Sequence, residues 1–148
     1  MTEPGHSCGT TFSERLLIKT TTLPLDVVTA TLGLIPTRSS PMHSGWGGRA
    51  PKANMWYLQA PDDCVSIAQQ WAWLAERLAG KSGLFESLVT DCELRLDVVV
   101  FGARPAPSLS IPGGMLEFAT EAGFELAIYF YDFSDGDAED GRPFCRRH

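Results

Sequence analysis

Hydrophobic and polar positions along this chain switch between two periods, and the switches mark the elements. From Phe12 to Lys19 the apolar residues alternate, with Leu16 and Ile18 facing one way and Leu17 the other, as in a half-covered strand. Pro24 then opens a helix in which Leu25, Val28 and Leu32 recur at helical spacing, and Gly33 is a natural stop. Ile35 precedes Pro36 and is pushed out of the helical region, which fixes an extended exit. Met55 to Leu58 reads as a short strand. The clearest helix follows from Pro61 and Asp62, with Cys64, Ile67, Ala68, Trp71, Leu74, Ala75 and Leu78 on one stripe. Gly80 and Gly83 end it, and Leu84 to Val89 forms a further helical turn. Glu93 to Phe101 is the longest strand signal: Leu94, Leu96, Val98 and Val100 alternate with Glu93, Arg95 and Asp97. Ser108 to Ile111 adds a short strand, Pro112 starts a last helix that Gly123 ends, and Phe124 to Tyr131 is the final strand.

The resulting order is strand, helix, strand, helix, strand, helix, strand. Alternating strands leave one sheet face covered and the other partly wet, which favours an antiparallel or mixed sheet. The expected fold is an α+β two-layer sandwich of ferredoxin-like type, mostly antiparallel, with its helices on one face. Residues 12–131 form a single domain in this reading. Residues 1–11 read as a frayed start, and 132–148 as a weakly ordered tail, acidic and then basic. Between the first helix and the Met55 strand lies a long glycine-bearing loop from Ser39 to Ala53, the one locally basic stretch before the tail, with Arg49 and Lys52 in it and Arg38 at its start.

Charge narrows the function classes. Of 148 residues, 18 are acidic and 12 basic, for a net −6, which argues against a general nucleic-acid binder and permits a basic protein partner. No apolar run approaches a membrane span. Met1 to His6 lacks a basic region followed by an apolar core, so the expected location is cytoplasmic. Cys8, Cys64, Cys92 and Cys145 form no Cys-x-x-Cys and read as free thiols.

The sequence offers little for catalysis. There is no Gly-x-Ser-x-Gly, and the histidines are His6, His43 and His148. Gly45, Gly47 and Gly48 follow a helix and precede a strand, the reverse of a phosphate-binding loop. His6 and Cys8 with Cys145 and His148 have zinc-type donors but nothing that joins the termini. The acidic tail around Asp135-Gly136-Asp137 lacks the spacing and flanking helices of a calcium loop. No cofactor is expected. More suggestive are Trp56, Tyr129 and Tyr131, expected on the sheet face opposite the helices near Arg15, Lys19 and Arg95. Trp, Tyr and Arg are favoured interface anchors. Trp73 falls on the polar side of the best helix and reads as a lone contact point.

Leu32-Gly33-Leu34-Ile35-Pro36-Thr37-Arg38, the loop after it, Trp56 in the next strand, the amphipathic helix, Ile111-Pro112-Gly113-Gly114-Met115-Leu116 and Ile128-Tyr129 occur in an order and spacing that resemble the bacterial domain of unknown function 4279 family. The resemblance covers most of residues 12–131. That family has no established activity, so the resemblance implies architecture and no catalytic residue.

The leading expectation is a non-enzymatic protein-interaction domain, by analogy with small acidic immunity-type proteins that neutralise bacterial toxins. Its expected binding residues are Arg38, Arg49, Trp56, Trp73, Arg95, Tyr129 and Tyr131, and its expected partner is a basic toxin or a second copy of the chain. The alternative is a small-molecule-binding or enzymatic domain that uses residues 39–52 as a lid, with His43, Arg38 or Arg49 beside Trp56 in a deep pocket.

Overall fold

The computed structural model describes residues 10–43, 52–102 and 108–132. Their elements run β1 (Thr11–Thr20), α1 (Leu25–Leu32), β2 (Arg38–Ser40), β3 (Asn54–Gln59), α2 (Ile67–Leu78), α3 (Ser82–Glu86), β4 (Glu93–Gly102), α4 (Gly113–Ala122) and β5 (Glu125–Asp132). The class is the expected α+β, built on one five-stranded sheet in the order β2-β3-β1-β4-β5. Three of its pairings are antiparallel, and β4 with β5 is parallel. A ferredoxin-like split βαβ unit places another strand between its parallel pair; here β4 and β5 are direct neighbours joined through α4.

Local chemistry sets the element ends. α1 and α4 stop where Gly33 and Gly123 take left-handed φ values of 67° and 82°, a conformation that costs a residue with a Cβ more than glycine. α2 starts at Ile67, later than the Pro61 expected from the apolar stripe. Ser66 caps it: its hydroxyl accepts from Gln69 N–H at 3.0 Å, and the Gln69 side chain accepts from Ser66 N–H at 3.2 Å. That reciprocal box outweighs the helix-starting bias of the upstream proline. Two further expectations change. Ser39 and Ser40 leave the supposed irregular loop and pair with Trp56 and Met55. Ser108 to Ile111 is not a strand.

The helices cover one sheet face. Leu16, Ile18, Trp56, Leu58, Leu94, Leu96, Val98 and Val100 meet Val28, Leu32, Trp71, Leu74 and Met115 in a single core. Phe118 packs against Trp71, Phe85 and Phe124 at 5.7, 5.6 and 5.3 Å between centroids. These rings tie α2, α3 and α4 to the start of β5, each pair adding about 1 kcal/mol beyond its buried area. Glu14, Thr20 and Gln70 are the buried polar residues in this layer. Gln70 clamps β1 to the entry of α2: its Oε1 accepts from Glu14 N–H at 2.7 Å, and its Nε2 donates to the carbonyls of Phe12 and Cys64 at 2.9 and 3.0 Å. Among the described residues no helix is long and apolar enough to cross a membrane.

Candidate functional site

No helix covers the other sheet face among the described residues, and strand register assembles its side chains into rows. One row reads Arg38, Tyr57, Leu17, Arg95 across β2, β3, β1 and β4. The next places Gln59, Arg15, Asp97 and Ala127 side by side. Toward the β5 edge, Val99 is opposite Tyr129 and Phe101 opposite Tyr131.

The centre of this face is an ion cluster. Asp97 is fully buried. Its Oδ1 accepts from Arg95 Nε at 2.7 Å and its Oδ2 from Arg15 Nε at 3.3 Å. Arg95 also reaches Glu93 at 3.3 Å, and Lys19 approaches the same carboxylate at 3.7 Å. The hydrogen bond to Asp97 raises the Arg95 pKa above its already high ordinary value, so the guanidinium stays charged throughout the physiological range. The cluster fixes two guanidinium groups in place, which lowers the entropy lost when they meet a ligand.

Beside it stands a cation–π group. The Arg38 guanidinium lies 4.6 Å and that of Arg15 5.1 Å from the centroid of the Tyr57 ring. Arg38 is exposed, and among the described residues it has no carboxylate partner. At the far edge Phe101 and Tyr131 stack at 5.5 Å with ring planes 18° apart. The face therefore combines Arg15, Lys19, Arg38 and Arg95 with Glu93, Asp97 and Glu125, a local excess of one positive charge (4 − 3) on a chain of net −6.

Of the residues singled out from sequence, Arg38, Arg95, Tyr129 and Tyr131 share this face. Trp56 does not. It points into the core, is fully buried, and donates from Nε1 to Thr29 Oγ1 on α1 at 3.0 Å. The run Met55-Trp56-Tyr57-Leu58 is apolar on both faces, so no alternation fixes which way each side chain turns; pairing with Ile18 settles it. Trp73 lies on the helix layer, half-buried at the margin of the core, with the Arg77 guanidinium 3.7 Å from its ring centroid. Arg49 lies outside the described residues, as do the zinc-type donors at the termini and the acidic tail beyond Asp132. Tyr57 and Asp97 are the residues that sequence reasoning missed as members of the site. Tyr57 is hidden by the same ambiguous run, and Asp97 follows the alternation of polar positions along its strand, which does not show that it is buried.

Among the described residues, this face holds no nucleophile–base pair. His43 sits beyond β2 at a positive φ of 64°. A cleft of about 510 Å³ nearby is lined by Leu23, Asp26, Pro41, Met42 and Asn54, with neither a histidine nor a cysteine in its wall. Arg38 and Trp56 occupy opposite faces of the sheet, so these two side chains do not line one pocket. The Cys92 thiol is pushed up by burial, which keeps it protonated and a poor nucleophile.

A family model described as a domain of unknown function (DUF4279) matches residues 10–133. The chain belongs to this family. The described sheet and its helices fall within that match. No curated protein and no solved structure matches the chain.

Proposed function

We propose that this chain is a non-enzymatic protein-interaction domain that docks its partner on the helix-free face of the sheet. The observation that carries the reading is Arg38 held over Tyr57, exposed and without a carboxylate partner among the described residues. Next to it, Arg15 and Arg95 are anchored on Asp97. Preorganised arginines flanked by Tyr57 and Tyr129 make a surface of the kind that concentrates binding energy. An immunity-type protein that holds a toxin is one form of this reading. The net charge alone suggests a basic partner, but the docking face carries the opposite local balance. The partner surface that fits it presents carboxylates or other anionic acceptors to the arginines.

The test is affinity capture from native lysate with the wild type, Arg38→Glu, and Thr120→Glu on the exposed side of α4. A protein retained by the wild type and Thr120→Glu and lost with Arg38→Glu supports docking on the sheet. Capture that is equal for all three, or lost only with Thr120→Glu, removes the sheet face from the reading.

A further inference from the structure

The two edges of the sheet are guarded unequally. On one side β2 is three residues long, and a short edge offers little for a foreign strand to pair with. On the other side β5 runs for eight residues. Among the described residues its only ladder partner is β4. The strand, Glu125-Leu126-Ala127-Ile128-Tyr129-Phe130-Tyr131-Asp132, contains no Lys, Arg or Pro, the usual devices that stop a sheet from extending. It is apolar and accessible on both sides: Ile128 is 47% and Phe130 38% exposed toward the helix layer, and Tyr129 36% and Tyr131 50% toward the opposite face. α4 packs on the core through Met115, Phe118, Ala119 and Ala122 and leaves Ile128 and Phe130 open.

We propose that β5 pairs antiparallel with β5 of a second copy, about a two-fold axis normal to the sheet at Tyr129, so that two sheets continue into one. Such an axis keeps the two helix layers on the same side and sets each residue opposite one from the same face of the sheet. The strand is self-complementary in this register. Tyr129 meets Tyr129, Tyr131 falls opposite Ala127, and Ile128 opposite Phe130, giving large-against-small and aromatic–aliphatic pairs. The acidic ends are staggered: position 132 comes opposite Leu126, and Glu125 lies beyond the paired stretch. With the axis at Ile128, Glu125 instead enters the ladder opposite Tyr131. The strand thus supplies its own complement, which singles out a second copy over an unrelated peptide. Each copy carries −6, so salt that screens the mutual repulsion strengthens the pairing. The proposal goes beyond the docking reading above and stands if that reading fails.

Light scattering of the wild type over a range of concentration and salt is the first measurement. The mass of two chains is expected, with more dimer as salt rises. Ile128→Lys is expected to restore the single-chain mass with an unchanged far-UV circular dichroism spectrum. Tyr129→Cys is expected to form a covalent dimer on a non-reducing gel beyond the background of the native cysteines, and Ile128→Cys is not. A monomer at every concentration overturns the proposal. So does a dimer that cross-links through Ile128→Cys rather than Tyr129→Cys, or a monomer that binds an extended apolar peptide along this edge.

Discussion

At the scale of single residues, Glu14 carries a large unbalanced cost: among the described residues, only its side chain has buried polar atoms without a partner. It shares a face of β1 with Leu16 and Ile18 and is fully buried, and neither carboxylate oxygen has a hydrogen-bond partner. Burial pushes its pKa from the usual 4.5 up to about 8, because the neutral acid tolerates a dry environment that the carboxylate does not. The sign of the linkage follows. Between those two values the folded chain holds a proton that the unfolded chain has released. Stability is therefore full below the unfolded pKa and falls as pH rises toward the folded one. At neutral pH the loss is on the order of 3 kcal/mol. Urea unfolding at a series of pH values is expected to show wild-type stability falling from acid to mildly alkaline conditions relative to Glu14→Gln. Glu14→Leu is expected to be more stable than the wild type at pH about 8, since it removes both the ionisation cost and the unsatisfied polar atoms. Equal pH slopes for wild type and Glu14→Gln would mean that the carboxyl reaches solvent or a counter-charge. Alternation along Phe12 to Ile18 already places Glu14 on the covered face, so this residue was legible in the sequence.

At the scale of elements, the caps do more to place the helices than the apolar stripes. Gly33 and Gly123 both sit at positive φ, but their surroundings differ. A Cβ on Gly33 would meet Lys81 Nζ at 3.6 Å, the end of a flexible side chain; on Gly123 it would meet Val89 Cγ2 at 3.3 Å. Alanine at either position costs about 1 kcal/mol from the backbone alone. Gly123→Ala is expected to lose more, as a lower thermal midpoint than Gly33→Ala, because Val89 must give way. Equal midpoints would show that the Val89 side yields freely. Lys81 also donates to the Leu32 carbonyl at 2.8 Å, which satisfies the end of α1 from a distant part of the chain. The stops at Gly33 and Gly123 are readable from residue type and period. The late start of α2 is readable only if the Ser66/Gln69 box is weighed above the stripe, which begins too early because Cys64 happens to fit the spacing.

At the scale of the whole molecule, β1 and β4 are the centre on which everything else hangs. They pair with each other and with a strand on either outer side. β2 contributes three residues at the margin, with no buried side chain. Amide hydrogen exchange is expected to be slowest along Leu16 to Ile18 and Leu96 to Val100 and fastest in β2, with the outer side of β5 protected only where a second copy pairs with it. Exchange as slow in β2 as in β1 would overturn this ordering.

The sequence by itself determined the α+β class, every element but β2, and the glycine stops after α1, α2 and α4, because period, glycine and proline act over a few residues. It also supplied Arg95, Tyr129 and Tyr131, since alternation gives each strand two distinct faces, whereas Arg38 stood at the start of an expected loop and reached this face only through its pairing with Tyr57. Only the tertiary structure decided which of those faces meet. Pairing register turned Trp56 into the core and Tyr57 to the arginines, brought Arg15 and Arg95 onto one buried Asp97, and left β5 on an edge. Register depends on contacts between residues far apart in the chain: a shift of one position turns every side chain to the other face without altering any local preference.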